Sequence, residues 1–202
     1  MDTDLDRIAA AVRPSVVQVL PGTSGGAGVV ISRGRELVVV TNAHVARGST
    51  GDRIRILSHQ RTTYHATMAQ TDEHRDLALL ALHSAPAADL SPATLGDTGG
   101  LRPGQLVLAI GHPFGLTNAV TAGIVHAVGQ VRGMWEPTPR SRKLSWIQAD
   151  IMLAPGNSGG PLLDIEGRVI GINTMVAGGL ALAVPVSDIR ALLQARGEAI
   201  PA

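Results

Sequence analysis

The chain has no cysteine, so neither a disulfide nor a thiolate metal site can form, and its 202 residues must cohere through packing alone. That composition suits the cytosol, and equally an exported protein that does without bridges. Aromatic residues make up 2% of the chain: Tyr64, Phe114, Trp135 and Trp146 are the whole stock, so any core is built from Val, Leu, Ile and Ala. Net charge is nearly absent as well. A formal +1 leaves no basic footprint for nucleic acid or an anionic membrane. No run reaches the ~18 apolar residues needed to span a bilayer, so no membrane segment is expected. Met1-Asp2-Thr3-Asp4-Leu5-Asp6 is acidic where a secretory signal is basic. The sequence therefore reads as soluble and cytoplasmic as it stands, or periplasmic or otherwise extracytoplasmic if a leader or anchor was removed.

What is present points to a packed protein. Hydrophobic content is 45%, and a chain of this size buries roughly 70% of its unfolded surface, enough for a core without staples. Leu5, Ile8, Ala9 and Val12 fall at helical spacing, which predicts a short amphipathic helix over Asp4–Val12, closed by Arg13-Pro14. Beyond it the texture changes to short β-rich runs separated by Gly, Pro, Ser and Asp. Six are expected at Ser15–Leu20, Ala27–Ser32, Leu37–Thr41, Arg53–Ser58, Thr62–Met68 and Leu77–Leu82. Six more are expected at Gln105–Gly111, Ala119–Val128, Trp146–Gln148, Pro161–Asp164, Arg168–Asn173 and Leu180–Val184. Short strands at such spacing make an all-β sandwich or barrels, not βαβ units. The Gly/Asp/Pro-rich stretch from Pro92 to Gly104 divides the chain into an N-terminal segment 1–13, a first half 14–98 and a second half 99–202. Ser187 is expected to cap a final helix with Ile189, Leu192 and Leu193 inward, Arg196 in its last turn and Gly197 as its stop. Arg132–Lys143, which includes Trp135, is polar and Pro-broken and reads as a surface loop.

Gly156-Asn157-Ser158-Gly159-Gly160 sets a serine among glycines, where the backbone can turn sharply and approach a substrate. The pattern G-x-S-x-G also describes the nucleophile elbow of α/β-hydrolases. Two observations exclude that reading: the following Pro161-Leu162-Leu163-Asp164 is strand-like rather than helical, and no histidine follows the serine, the last being His126. The remaining order is histidine, aspartate, serine. His44 leaves the end of an apolar strand within Thr41-Asn42-Ala43-His44-Val45-Ala46, and Asp76 opens the strand Asp76-Leu77-Ala78-Leu79-Leu80. A serine hydroxyl needs a positioned base, imidazole exchanges protons near neutrality, and a carboxylate orients the imidazole. His44, Asp76 and Ser158 are thus the candidate catalytic residues. The other histidines, His59, His65, His74, His83, His112 and His126, lack metal-ligand spacing, and neither metal nor cofactor is expected.

The segments "TNAHVA" at 41–46, "DLALL" at 76–80 and "GNSGGPL" at 156–162 resemble the chymotrypsin-fold peptidases of the HtrA/Deg type. Further similarity lies in "PSVVQV" at 14–19, "GAGVVI" at 26–31, "AIGHPFG" at 109–115, "VTAGIV" at 120–125 and "GINT" at 171–174. The resemblance implies two six-stranded antiparallel β-barrels with short N- and C-terminal helices, His44 and Asp76 on the first barrel and Ser158 on the second. It implies a serine endopeptidase acting on polypeptides through an acyl-enzyme. Its oxyanion hole would form at Gly156, Asn157 and Ser158, with the backbone N–H groups of Gly156 and Ser158 as donors. Met152 and Leu153 would lie at the base of the specificity pocket and Leu180, Ala181 and Leu182 along its wall, favouring small or aliphatic P1 residues.

Several departures matter. The family often has asparagine where Ala154 stands and an asparagine or similar residue where His112 stands. Asn157 replaces the aspartate of digestive relatives and leaves no buried charge needing a processed N-terminus, so activity without trimming is expected. Family members usually carry PDZ modules after the protease, and many form trimers through aromatics near the N-terminus. Residues 1–20 have no aromatics, so monomer and trimer both stay open. Two rival functions remain: a binding or chaperone module with weak turnover, and a serine esterase on the same fold.

Overall fold

A computed structural model describes residues 5–22, 25–47, 54–83, 89–130 and 144–195. The first helix, α1 (Leu5–Val12), ends in a 3-10 turn at Arg13–Ser15. Six strands follow: β1 (Val16–Leu20), β2 (Gly26–Arg33), β3 (Glu36–Thr41), β4 (Ile54–Leu57), β5 (Thr63–Asp72) and β6 (Leu77–Leu82). A single helical turn, α2 (Ala43–Ala46), interrupts them after β3. They close into a barrel of order β1-β2-β3-β6-β5-β4. The second set is β7 (Leu106–Gly111), β8 (Ala119–Gln130), β9 (Ser145–Asp150), β10 (Pro161–Leu163), β11 (Val169–Ala177) and β12 (Leu180–Pro185). These close as β10-β11-β12-β9-β8-β7, and α3 (Val186–Gln194) completes the described chain. All pairings between these strands are antiparallel, so the fold is all-β with two closed six-stranded barrels.

The strands read as near-continuous hydrophobic runs because many are buried on both faces. Side chains alternate across a strand. In β6, Ala78 and Leu80 point into the first barrel, while Leu77 and Leu79 point into a second apolar layer. The same split separates Val39 from Val38 and Val40 in β3. In the second barrel, Val107 and Ala109 of β7 face its interior, whereas Leu108 and Ile110 join the shared layer. That layer gathers residues of both barrels with Ala9 and Val12 of α1 and Ile189 and Leu192 of α3. Burying one such Leu or Ile side chain contributes roughly 1.5–3 kcal/mol. A core poor in aromatics is thus compensated by three layers of β-branched and aliphatic side chains.

Some boundaries differ from expectation. β5 continues past Met68 through the polar Ala69-Gln70-Thr71-Asp72, because a register shift between Met68 and Gln70 lets its end still pair with β6. β11 runs on to Ala177 by the same device. Ser187 does not cap α3: the helix begins at Val186 after Pro185, without a side-chain cap bond. Ile189 and Leu192 of α3 are buried, and Leu193 packs partly against the same layer. The surface-loop segment Arg132–Lys143, Arg196 and Gly197 lie outside the described residues. No described helix is long and apolar enough to cross a membrane.

Candidate active site

The barrel register brings the first two chemical groups together. Thr41 at the end of β3 pairs with Ala78 in β6, so the residues just beyond β3 meet those just before β6. There Asp76 clamps the first turn of α2 at three points. Its main-chain carbonyl accepts from the Ala43 N–H at 3.2 Å, and its Oδ1 accepts from the His44 N–H at 2.9 Å. Its Oδ2 lies 2.7 Å from His44 Nδ1. A carboxylate only accepts, so His44 donates from Nδ1, and in the neutral ring Nε2 holds the lone pair. Asp76 is held at φ +53°, a left-handed conformation uncommon for a residue other than glycine. Arg75 anchors the preceding backbone, binding Asp72 Oδ2 at 2.6 Å and Asp188 Oδ1 on α3 at 3.2 Å. Burial pushes the Asp188 carboxyl up despite Arg75. Burial also opposes ionisation of Asp72, but hydrogen bonds from Arg75 and that residue's charge prevail and lower it.

Ser158 lies between β9 and β10, and its carbonyl accepts from Ala27 N–H at 2.8 Å, tying it to β2 of the other barrel. A Cβ placed on Gly26 would stand 2.7 Å from the Ser158 carbonyl and 2.9 Å from Val45. Ser158 and the helix bearing His44 therefore face each other across a position that only glycine leaves open. The Ser158 hydroxyl donates to the Thr174 carbonyl at 3.0 Å. Among the described residues it makes no hydrogen bond to His44. The structure thus joins His44 and Asp76 directly and sets Ser158 opposite them, its hydroxyl hydrogen-bonded to the Thr174 carbonyl.

The loop before the serine is zipped to the turn that follows β7. His112 N–H donates to the Gly156 carbonyl at 3.1 Å and Phe114 N–H to the Pro155 carbonyl at 3.2 Å. Peptide units are planar and trans, so fixing the Pro155 carbonyl on Phe114 turns the Gly156 N–H to the opposite side. Gly156 sits at φ +105°, and a Cβ there would meet the His112 carbonyl at 2.3 Å. Neither the Gly156 N–H nor the Ser158 N–H has a hydrogen-bond partner among the described residues. Asn157 is buried against Gly111, and its own N–H donates to the Ala154 carbonyl at 3.0 Å, so its backbone donor is occupied. His112 is 3% exposed, and burial lowers its pKa to about 4, against a smaller favourable interaction with the Val17 backbone.

Beside Ser158 lies a hollow of about 330 Å³ walled by Leu153, Ala154, Pro155, Thr174, Met175 and Val176. Of the five residues expected to shape a specificity pocket, Leu153 lines it. Met152 is 78% exposed and does not line the hollow. Leu180 and Ala181 pair with Ala177 and Val176 across β11–β12, behind the wall, and Leu182 is buried in the interbarrel layer. Met175 and Val176, on the part of β11 beyond Asn173, line the hollow. A larger cavity of about 790 Å³, between Leu95–Leu101 and Asp164–Arg168, holds none of the His44, Asp76 and Ser158 groups. No cluster of His, Cys, Asp and Glu among the described residues could hold a metal ion.

Sequence reasoning passed over two residues here, Asn42 and Thr174. Both are buried and polar, and Asn42 Nδ2 donates to the Thr174 Oγ1 at 3.0 Å and to the Asp76 carbonyl at 2.9 Å. Each lies inside a segment already singled out, "TNAHVA" and "GINT", but nothing in one dimension indicated that they touch.

Two closed six-stranded barrels with a histidine–aspartate pair facing a serine define a chymotrypsin-like fold with the groups of a serine hydrolase. The profile of the trypsin-like peptidase domain matches residues 26–172, and the chain belongs to that family. Its relatives are HtrA-type proteases. It is 39% identical over 196 residues to "Serine protease HTRA1B" of Danio rerio, covering 94% of this chain and 40% of that protein. It is 42% identical over 154 residues to "Probable periplasmic serine endoprotease DegP-like" of Marinomonas sp. (strain MWYL1), covering 76% and 30%. The solved structure "HtrA-type protease AlgW with decapeptide" superposes with a TM-score of 0.78 at 27% identity, covering 94% of this chain and 66% of that one. The chain spans less than half the length of these curated relatives.

Proposed function

We propose that this chain is a serine endopeptidase that cleaves unfolded or flexible polypeptides through an acyl-enzyme. The observation that carries the reading is the 2.7 Å contact between His44 Nδ1 and Asp76 Oδ2, which leaves His44 Nε2 as a base opposite Ser158. Rotation of the Ser158 hydroxyl from the Thr174 carbonyl toward His44 delivers its proton to Nε2 as Oγ attacks the substrate carbonyl. Asp76 stabilises the resulting imidazolium. The N–H groups of Gly156 and Ser158, unpartnered among the described residues, receive the oxyanion, an interaction whose loss typically costs ~10²–10³ in rate. His44 then protonates the leaving amine, the C–N bond breaks, and the acyl group stays on Ser158. Water, deprotonated by His44, attacks the ester and restores the hydroxyl.

The walls of the hollow beside Ser158 are apolar at Leu153, Met175 and Val176 and contain no acidic side chain. They support cleavage after small or aliphatic P1 residues and disfavour Lys or Arg. A decapeptide accompanies the AlgW structure, and a polypeptide is the substrate class we assign here.

The test is labelling by a fluorophosphonate. Covalent attachment at Ser158 that disappears in Ser158→Ala establishes an activated nucleophile, and turnover of unfolded casein over a simple ester establishes a peptidase. A chain that resists the probe across a broad pH range would instead be a binding module on a protease fold.

A further inference from the structure

Asn42 stands at the N-cap of α2, the position where an asparagine side chain normally accepts from the N–H groups of the first turn. It makes no such bond. Asp76 performs that task from the turn before β6, accepting from both Ala43 N–H and His44 N–H. The Asn42 carboxamide is therefore released, and the two hydrogen bonds its Nδ2 donates leave its own helix: to the Asp76 carbonyl at 2.9 Å and to Thr174 Oγ1 at 3.0 Å. Its Oδ1 is buried without a hydrogen-bond partner among the described residues. A buried polar atom left orphaned costs stability, so the placement favours the two donated bonds over complete satisfaction.

The partners of those bonds are informative. Asp76 holds the imidazole through its carboxylate and occupies a strained φ of +53° that its surroundings must enforce. Thr174 accepts the Ser158 hydroxyl through its main-chain carbonyl. One side chain, 0% exposed and between the two barrels, thus connects the backbone of Asp76 to the residue that receives Ser158 Oγ. Thr174 Oγ1 passes the chain on, donating to the Ile172 carbonyl within β11 at 3.2 Å.

We propose that Asn42 is a positioning residue that sets the separation of the His44–Asp76 pair from Ser158 by tying Asp76 to Thr174 across the barrel interface. The inference rests on the peptidase reading above. Asn42 touches neither substrate nor the reacting atoms. It governs whether Nε2 comes within reach of Oγ, and a misplacement of about 1 Å at such a distance can cost about 100-fold in rate.

The experiment compares the wild-type chain with Asn42→Ala, Thr174→Val and Thr174→Ser, reading kcat and KM on a peptide substrate, the fluorophosphonate labelling rate and the thermal midpoint. Asn42→Ala is expected to lower kcat and labelling about 100-fold while KM changes by less than about threefold, because Asn42 does not itself line the hollow beside Ser158. Thr174→Val removes the acceptor at nearly constant volume. It should lose activity in the same sense, with Thr174→Ser at least about tenfold above it. Should Asn42→Ala fail to fold, the Val/Ser pair decides the matter alone. Equal kcat in Thr174→Val and Thr174→Ser, or a lowered midpoint in Asn42→Ala with wild-type kcat, would make the amide a packing element and overturn the proposal. A wild-type chain that takes no label overturns the peptidase reading and this inference together. A labelled wild type with unaffected variants overturns only the inference.

Discussion

His112 supplies the most quantitative prediction. It is buried beneath the loop that precedes Ser158, with Nδ1 accepting from the Asn118 N–H at 3.4 Å. Burial lowers its pKa from 6.5 to about 4. The unfolded chain therefore binds a proton between those values while the folded chain refuses it, so folding stability falls as pH falls. The stabilisation is complete above the unfolded value of 6.5 and is lost on descent through about 4. At about 1.4 kcal/mol for each pH unit, the whole effect is about 3 kcal/mol, of which about 2.5 kcal/mol is gone by about pH 4.5. Urea unfolding of the wild type and His112→Gln at neutral pH and at about pH 4.5 measures it. The carboxylates, Asp72 and Asp188 included, titrate in both proteins and cancel in the comparison. The wild type should lose about 2–3 kcal/mol more than the variant over that interval. Parallel losses would show that the imidazole is solvated or charged in the fold, and the argument from burial would fail.

The remaining predictions concern the site and the core. Ser158→Ala should abolish fluorophosphonate labelling and lower kcat about 10⁶-fold, and Asp76→Asn about 10⁴-fold, by steady-state kinetics. Gly156→Ala introduces a Cβ at φ +105°, 2.3 Å from the His112 carbonyl. It should reduce kcat by about 10²–10³ with little change in KM, and wild-type kcat would mean that this N–H is not an oxyanion donor. Mass spectrometry of casein fragments should place Ala, Val and Leu at P1, and a majority of Lys or Arg would contradict the apolar hollow. Leu80→Ala, at a fully buried position in the first barrel, should cost about 2–5 kcal/mol in urea unfolding.

Strands buried on both faces were legible to within a residue or two. β6 is one continuous apolar run from Leu77 to Leu82, and nothing else could be made of it. β5 outran its hydrophobic signal because a register shift keeps the polar Gln70, Thr71 and Asp72 paired with β6, whereas β11 continues past Asn173, beyond a shift of its own, through the mostly apolar Thr174-Met175-Val176-Ala177. The part of β11 beyond Asn173 brings Met175 and Val176 to the wall of the hollow. Ser187 looked like a cap because its residue type favours caps, but α3 already begins at Val186, with Pro185 at the N-cap, which places Ser187 inside the first turn. Asn42 stood beside His44 in plain view, yet its partners lie 34 and 132 residues away.

By itself, the sequence determined which residue types are available for acyl transfer, their order along the chain, and the all-β character of the fold. These follow from chemistry and from local periodicity, both of which are properties of neighbouring residues. Only the tertiary structure decided the 2.7 Å contact of His44 with Asp76, the hydrogen bond from the Ser158 hydroxyl to the Thr174 carbonyl, the burial of His112 and the two long-range hydrogen bonds of Asn42. Those depend on two barrels meeting through a shared apolar layer, where each distance is set by the register and packing of strands remote in the chain.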